Sequence, residues 1–120
     1  MCLFGKKKKE EYENPTEIVR DGITVILEED CKNPEKVFDE YLKLYNEKRP
    51  ELLKFVLENG LVECYGEMDL DTVKEKLGNP TINVSLNEIS FCDNTFDGEH
   101  IISFEYADGF KKFYHFRMDG

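Results

Sequence analysis

The chain has 120 residues and a mass of 14.1 kDa, and its 16 Lys and Arg against 26 Asp and Glu leave a formal charge of −10. With 40% hydrophobic and 12% aromatic residues it can fill the core of one domain, which excludes a disordered acidic chain, a collagenous one and a two-domain enzyme. Four of the positives, Lys6 to Lys9, sit near the start, so the remaining 12 face 26 acids, a balance of −14; a body so charged repels phosphates, which argues against nucleic acid and for a basic protein as partner.

The opening MCLFGKKKKEEYENP has five uncharged residues before its lysines, too few for the 7 to 15 apolar residues of an export signal, and no later run is long enough to span a membrane. Cys2 beside the lysines admits a lipidated, polybasic tether. A solvated tail is the simpler reading of a charge run without helical or strand period. The expectation is a disordered leader over residues 1–15, a single α+β domain over residues 16–120 and a cytoplasmic setting. In that reducing compartment Cys2, Cys31, Cys64 and Cys92 would be thiols, with Cys64 and Cys92 as small core residues. Their spacing contains no CxxC pair and no zinc pattern.

Asp21-Gly22 between the β-forming runs 17–20 and 23–27 predicts a hairpin, because both central residues of a type I′ turn need positive φ. Asn33-Pro34-Glu35 reads as N-cap, first helical residue and dipole-matched acid, and Val37, Phe38, Tyr41, Leu42 and Tyr45 follow at helical spacing. Pro50 cannot continue that helix but can start another, carrying Leu52, Leu53, Val56 and Leu57 to a stop at Asn59-Gly60. The stretch from Leu61 to Met68 reads as loop or irregular helix. Asp69 or Asp71 then caps a short helix with Leu70, Val73 and Leu77, closed by Gly78-Asn79-Pro80.

From Thr81 the period becomes two. Ile82, Val84 and Leu86 alternate with polar neighbours, Asn87 turns the chain, and Ile89 and Phe91 alternate again. After a loop over residues 93–98, strands from Glu99 to Tyr106 and from Phe110 to Met118 meet at Asp108-Gly109. A two-residue turn there pairs Glu105 with Lys112 and Phe104 with Phe113, opposite charges and aromatic rings being favourable cross-strand neighbours. The fold class is α+β, two or three helices packed on an antiparallel sheet of four to six strands.

The same register sets Ile102 opposite His115 and His100 opposite Arg117, so the two histidines share a face and could meet with Asp97 or Glu99 around a metal or proton. The plainer account is two packed or surface rings, since no partner is spaced to orient either one for acid–base work. Asp93 to Glu99 starts like a calcium loop, but the twelfth position is Phe104 rather than a bidentate Glu, and a polar turn is the better account. No phosphate loop, GxSxG elbow or HExxH motif occurs, and 26 acids form pairs by chance. No catalytic residue, cofactor or metal is assigned.

One sheet face would hold Ile101, Ser103 and Glu105 opposite Phe116, Tyr114 and Lys112, an apolar patch rimmed by charge and suited to binding, or else a surface covered by other parts of the chain. Ile89-Ser90-Phe91-Cys92 followed by Phe96-Asp97-Gly98-Glu99-His100 and a strand resembles small acidic bacterial domains of unknown function, some of which sit beside polymorphic toxins as immunity proteins. The function read from these features is a non-enzymatic cytosolic binding protein, an inhibitor or immunity protein with a basic partner. A small metal-dependent hydrolase using His100 and His115 is the alternative. A homodimer or larger oligomer joined through an edge strand is the third reading.

Overall fold

The computed structural model describes residues 16–119; the leader, with both its readings, lies outside the described residues. The hairpin forms as its turn chemistry requires. β1 (Thr16–Arg20) pairs antiparallel with β2 (Ile23–Leu27), and Asp21 and Gly22 take φ of 54° and 81°. A long helical segment follows: α1 (Pro34–Val56), a π-helical turn (Leu57–Leu61) and α2 (Val62–Tyr65). Then come α3 (Leu70–Leu77), β3 (Thr81–Asn83), β4 (Glu88–Phe91), β5 (Ile101–Ala107) and β6 (Lys112–Asp119).

The described strands make one six-stranded sheet in sequential order, β1 to β6. It is mixed rather than antiparallel, because β2 and β3 run parallel. Parallel neighbours need a long crossover, which the helical layer between β2 and β3 supplies, whereas the shorter connections elsewhere join antiparallel strands. Helices packed on one face of the sheet make the fold α+β.

Pro50 does not divide the helix. It lies inside α1, exposed to solvent. A mid-helix proline ordinarily costs ~3 kcal/mol, but Phe38, Tyr45, Leu52, Leu53 and Val56 are all buried along one stripe that spans it. Each fully buried side chain of this size contributes ~1.5–3 kcal/mol, so tertiary burial outweighs the local defect. Asn59-Gly60 does not end the helix either. Asn59 Nδ2 donates to Phe55 O at 2.9 Å within the widened turn, and the helical path stops instead at Gly66, with φ of 84°. α3 matches its sequence signals: Asp69 Oδ1 accepts from Thr72 N at 2.8 Å, and Gly78 closes it at φ 78°.

β3 is shorter than its alternation suggests. Asn83 Oδ1 accepts from Ser85 Oγ and Leu86 N, folding Val84 to Asn87 into a turn that leaves Leu86 exposed. The β5–β6 turn also departs from expectation. It spans Asp108 to Lys111, with positive φ at Asp108, Gly109 and Phe110, and pairs Ala107 with Lys112, Tyr106 with Phe113 and Glu105 with Tyr114. The register is shifted by two residues because Phe110 is buried, 4.5 Å from the Tyr106 ring and 6.0 Å from Tyr41. Placing a phenylalanine inside requires a longer turn than Asp-Gly alone provides.

Neither Cys64 nor Cys92 is a core residue: Cys64 is exposed, and Cys92 is half-buried and disulfide-bonded. Cys31 and Cys64 are free thiols. Among the described residues no helix is long and apolar enough to cross a membrane.

Candidate functional site

Strand alternation sends Ile89, Phe91, Ile102, Phe104 and Tyr106 under the helices and the residues between them to the opposite face. On that outer face Asn83, Glu88, Glu105 and Tyr114 form one row across β3 to β6, and Thr81, Ser90, Ser103 and Arg117 form the next. No described element covers these rows, as is common for an antiparallel arrangement with one solvated side.

Two carboxylates, Glu88 and Glu105, therefore stand directly opposite each other on neighbouring strands, a destabilising arrangement unless bridged. Arg117 bridges them, with Nη2 at 2.5 Å from Glu88 Oε2 and Nη1 at 3.2 Å from Glu105 Oε2. His115 Nδ1 adds a contact to Glu105 Oε2 at 3.1 Å. His115, then Arg117, hold the Glu105 carboxyl below its ordinary value.

A bulge creates this geometry. Between Tyr114 and Arg117, β6 carries His115 and Phe116 where β5 carries only Phe104, and His115 adopts φ 55°. Bulges of this kind bend a strand and re-aim its side chains. Here the extra residue lets Phe113 and Phe116, three apart, both reach the core against Phe55 at 5.8 and 6.3 Å. Arg117 and His115 are left over the acids.

Of the residues expected on the binding face, Ile101, Ser103, Glu105, Lys112 and Tyr114 lie there, whereas Phe116 turns inward onto Phe55 and Gly60. Losing that ring makes the patch polar rather than apolar. Ser103 is buried despite its outward position, and Tyr114 is the large exposed side chain of the group. Glu88 and Arg117, which complete the cluster, escaped sequence reasoning. The available signal was the spacing of Phe113 and Phe116, which strict alternation cannot bury together.

His100 lies elsewhere, just before β5, and its Nδ1 is 2.7 Å from Asp97 Oδ2. The histidines engage different carboxylates and do not form the shared pair expected from the two-residue turn. Among the described residues, no group of three or more His, Cys, Asp and Glu is arranged to hold a metal ion. The calcium-like loop is a structural turn: buried Asn94 donates to Phe91 O and His100 O at 3.0 and 2.7 Å, and Asp97 Oδ1 accepts from the amides of Glu99 and His100.

Asp97 Oδ2 also accepts from the Tyr65 hydroxyl, while Phe96 stacks on the Tyr65 ring at 5.4 Å. This knot fastens the loop to the helical layer. The tyrosine bond, followed by the Glu99 amide, holds the Asp97 carboxyl well below the usual carboxylate range; burial and the Asp97 charge push Tyr65 from 10.0 up to about 12. The lowered acid stabilises the fold above the ordinary carboxylate range and loses that contribution as pH falls through its folded value. The raised phenol stabilises below pH 10, and the contribution is lost as pH rises toward 12. Denaturant midpoints should therefore show an advantage over Tyr65→Phe that holds from neutral pH to pH 10, shrinks above it and shrinks again in acid as Asp97 protonates. An advantage that persists unchanged to pH 12 contradicts the assignment.

No protein-family model, curated protein or solved structure matches the chain.

Proposed function

We propose that this chain is a non-enzymatic binding protein, of the inhibitor or immunity kind, whose acidic surface docks a basic protein partner through the face of β4 to β6 that no described element covers. The supporting observation is the row of opposed Glu88 and Glu105, held in place by one Arg117 beside exposed Tyr114, on a body of twelve basic against 23 acidic residues between 16 and 119. A pre-positioned pair of carboxylates with one guanidinium between them retains an unneutralised charge, and the surrounding acidic field would speed encounter with a cationic surface. Tyr114 supplies the rigid aromatic anchor that interfaces favour.

The metal-hydrolase reading has no comparable support, since His100 and His115 lie on separate carboxylates and, among the described residues, no group of three or more His, Cys, Asp or Glu could hold a metal ion. Strand-edge association through β6 is disfavoured by the bulge at His115, which interrupts the edge ladder another chain would need.

The test is capture of partners from host extract by immobilised protein at about 0.01 M and about 1 M salt, where the screening lengths differ roughly tenfold. A basic partner retained at low salt, released at high salt and lost by the Glu88→Gln/Glu105→Gln double variant is the expected result. Recovery of no protein at low salt, or retention indifferent to the double variant, refutes the proposal.

A further inference from the structure

A second feature lies on the helix side of the sheet, away from the outer face. The hairpin turn, the C-terminal half of α1 and the end of α3 enclose a cavity of about 270 Å³. Its apolar wall is Ile23, Leu53 and Leu77, with the Tyr45 ring beside them, and four charged side chains also line it: Arg49, Lys74, Asp21 and Glu75. The hairpin approaches closely here because Gly22 lacks a side chain; a Cβ on it would lie 2.3 Å from Asn79 Nδ2.

Arg49 is held but incompletely satisfied. Its guanidinium stacks 4.7 Å over the Tyr45 ring and its Nη2 donates to Asn46 Oδ1 at 3.0 Å. Its Nε is buried without any hydrogen-bond partner. A buried charged donor left unmade is costly, and such donors favour a carboxylate oxygen with charge-assisted strength. Among the described residues, none of the four charged groups lining the cavity forms an ion pair with another. A simple anion would satisfy Arg49 and Lys74 but meet Asp21 and Glu75 with like charge. A ligand bearing both signs uses all four. The volume, equal to about nine waters' share of liquid, suits a molecule of similar heavy-atom count and is smaller than the ~300–1,000 Å³ of drug-sized pockets.

We propose that this cavity binds a free α-amino acid with an apolar side chain, its carboxylate on Arg49 and Lys74, its ammonium toward Asp21 and Glu75, and its side chain against Ile23, Leu53 and Leu77. The proposal stands independently of the docking face.

The experiment is calorimetric titration of the full chain with L-leucine, 4-methylpentanoate (no ammonium), isoamylamine (no carboxylate) and inorganic phosphate. Saturable binding of leucine is expected, weakened at least about tenfold by removing either charged group from the ligand and by Arg49→Gln. Should Arg49→Gln melt markedly earlier than the parent, Lys74→Gln, on the exposed side of α3, carries the same expectation. Absence of leucine binding overturns the proposal, as does equal or tighter binding of phosphate or 4-methylpentanoate, or affinity unchanged in the folded variant.

Discussion

Replacing Phe104 with alanine is expected to cost about 3–5 kcal/mol of stability, the largest effect of any single change considered. The side chain is fully buried at the middle of β5, with ring centroids of Phe55 at 5.2 Å, Phe113 at 5.7 Å and Phe91 at 6.2 Å. It joins α1, β4 and β6, and its removal leaves a cavity that three aromatic neighbours, each held from its own element, cannot close. Domains of this size are stable by only about 5–15 kcal/mol, so the variant should lose a large share of its margin. Denaturant unfolding is the measurement: a midpoint much lower than the parent's at similar slope is expected. Val19→Ala, at a position 57% exposed, is the control and should stay within about 0.5 kcal/mol. A Phe104→Ala loss no larger than the control's would show that the aromatic cluster is not the centre of the core.

Gly60→Ala tests the second long-range contact, and its sign runs against the local rule. Alanine in a helical segment ordinarily stabilises by about 0.5–1 kcal/mol relative to glycine. Here a Cβ would come within 2.1 Å of Phe116 Cε1 and 2.6 Å of Cζ. Any movement of the Phe116 ring away from Gly60 disturbs its contact with Phe55, which it meets at 6.3 Å. The expected outcome is destabilisation of about 1–3 kcal/mol, with Phe116→Leu relieving part of it so that the double variant is less affected than the sum of the singles. A Gly60→Ala protein more stable than the parent would mean that the π-helical turn does not receive the Phe116 ring.

The same contact connects stability to the candidate binding face. The bulge that turns Phe116 inward is what turns Arg117 outward onto Glu88 and Glu105. If the ring is forced off Gly60, the register of β6 is under strain where the charged cluster is assembled. Gly60→Ala should therefore weaken partner capture as well as stability, whereas Phe104→Ala should act on stability alone for as long as the protein remains folded.

Local chemistry made several elements legible in advance. Asp21-Gly22 specified its turn because two neighbouring residues tolerate positive φ. The spacing of Val37, Phe38, Tyr41, Leu42 and Tyr45 announced the start of α1, and Asp69 with Gly78 bounded α3, since a cap and a stop depend on atoms a few residues away. Alternation identified β4 and β5 and which of their residues face the core. The same alternation places Ile101, Ser103, Glu105 and Tyr114 on the outer face.

The charge balance, the turn at Asp21-Gly22 and the alternating and helical periods were thus determined by the amino-acid sequence alone, because each rests on interactions between near neighbours. The passage of α1 through Pro50, the parallel pairing of β2 with β3, the lengthened turn that buries Phe110 and the bulge at His115 were decided only by the tertiary structure. In each case burial against a distant element outweighs the local preference, and no window of sequence contains both partners of that competition.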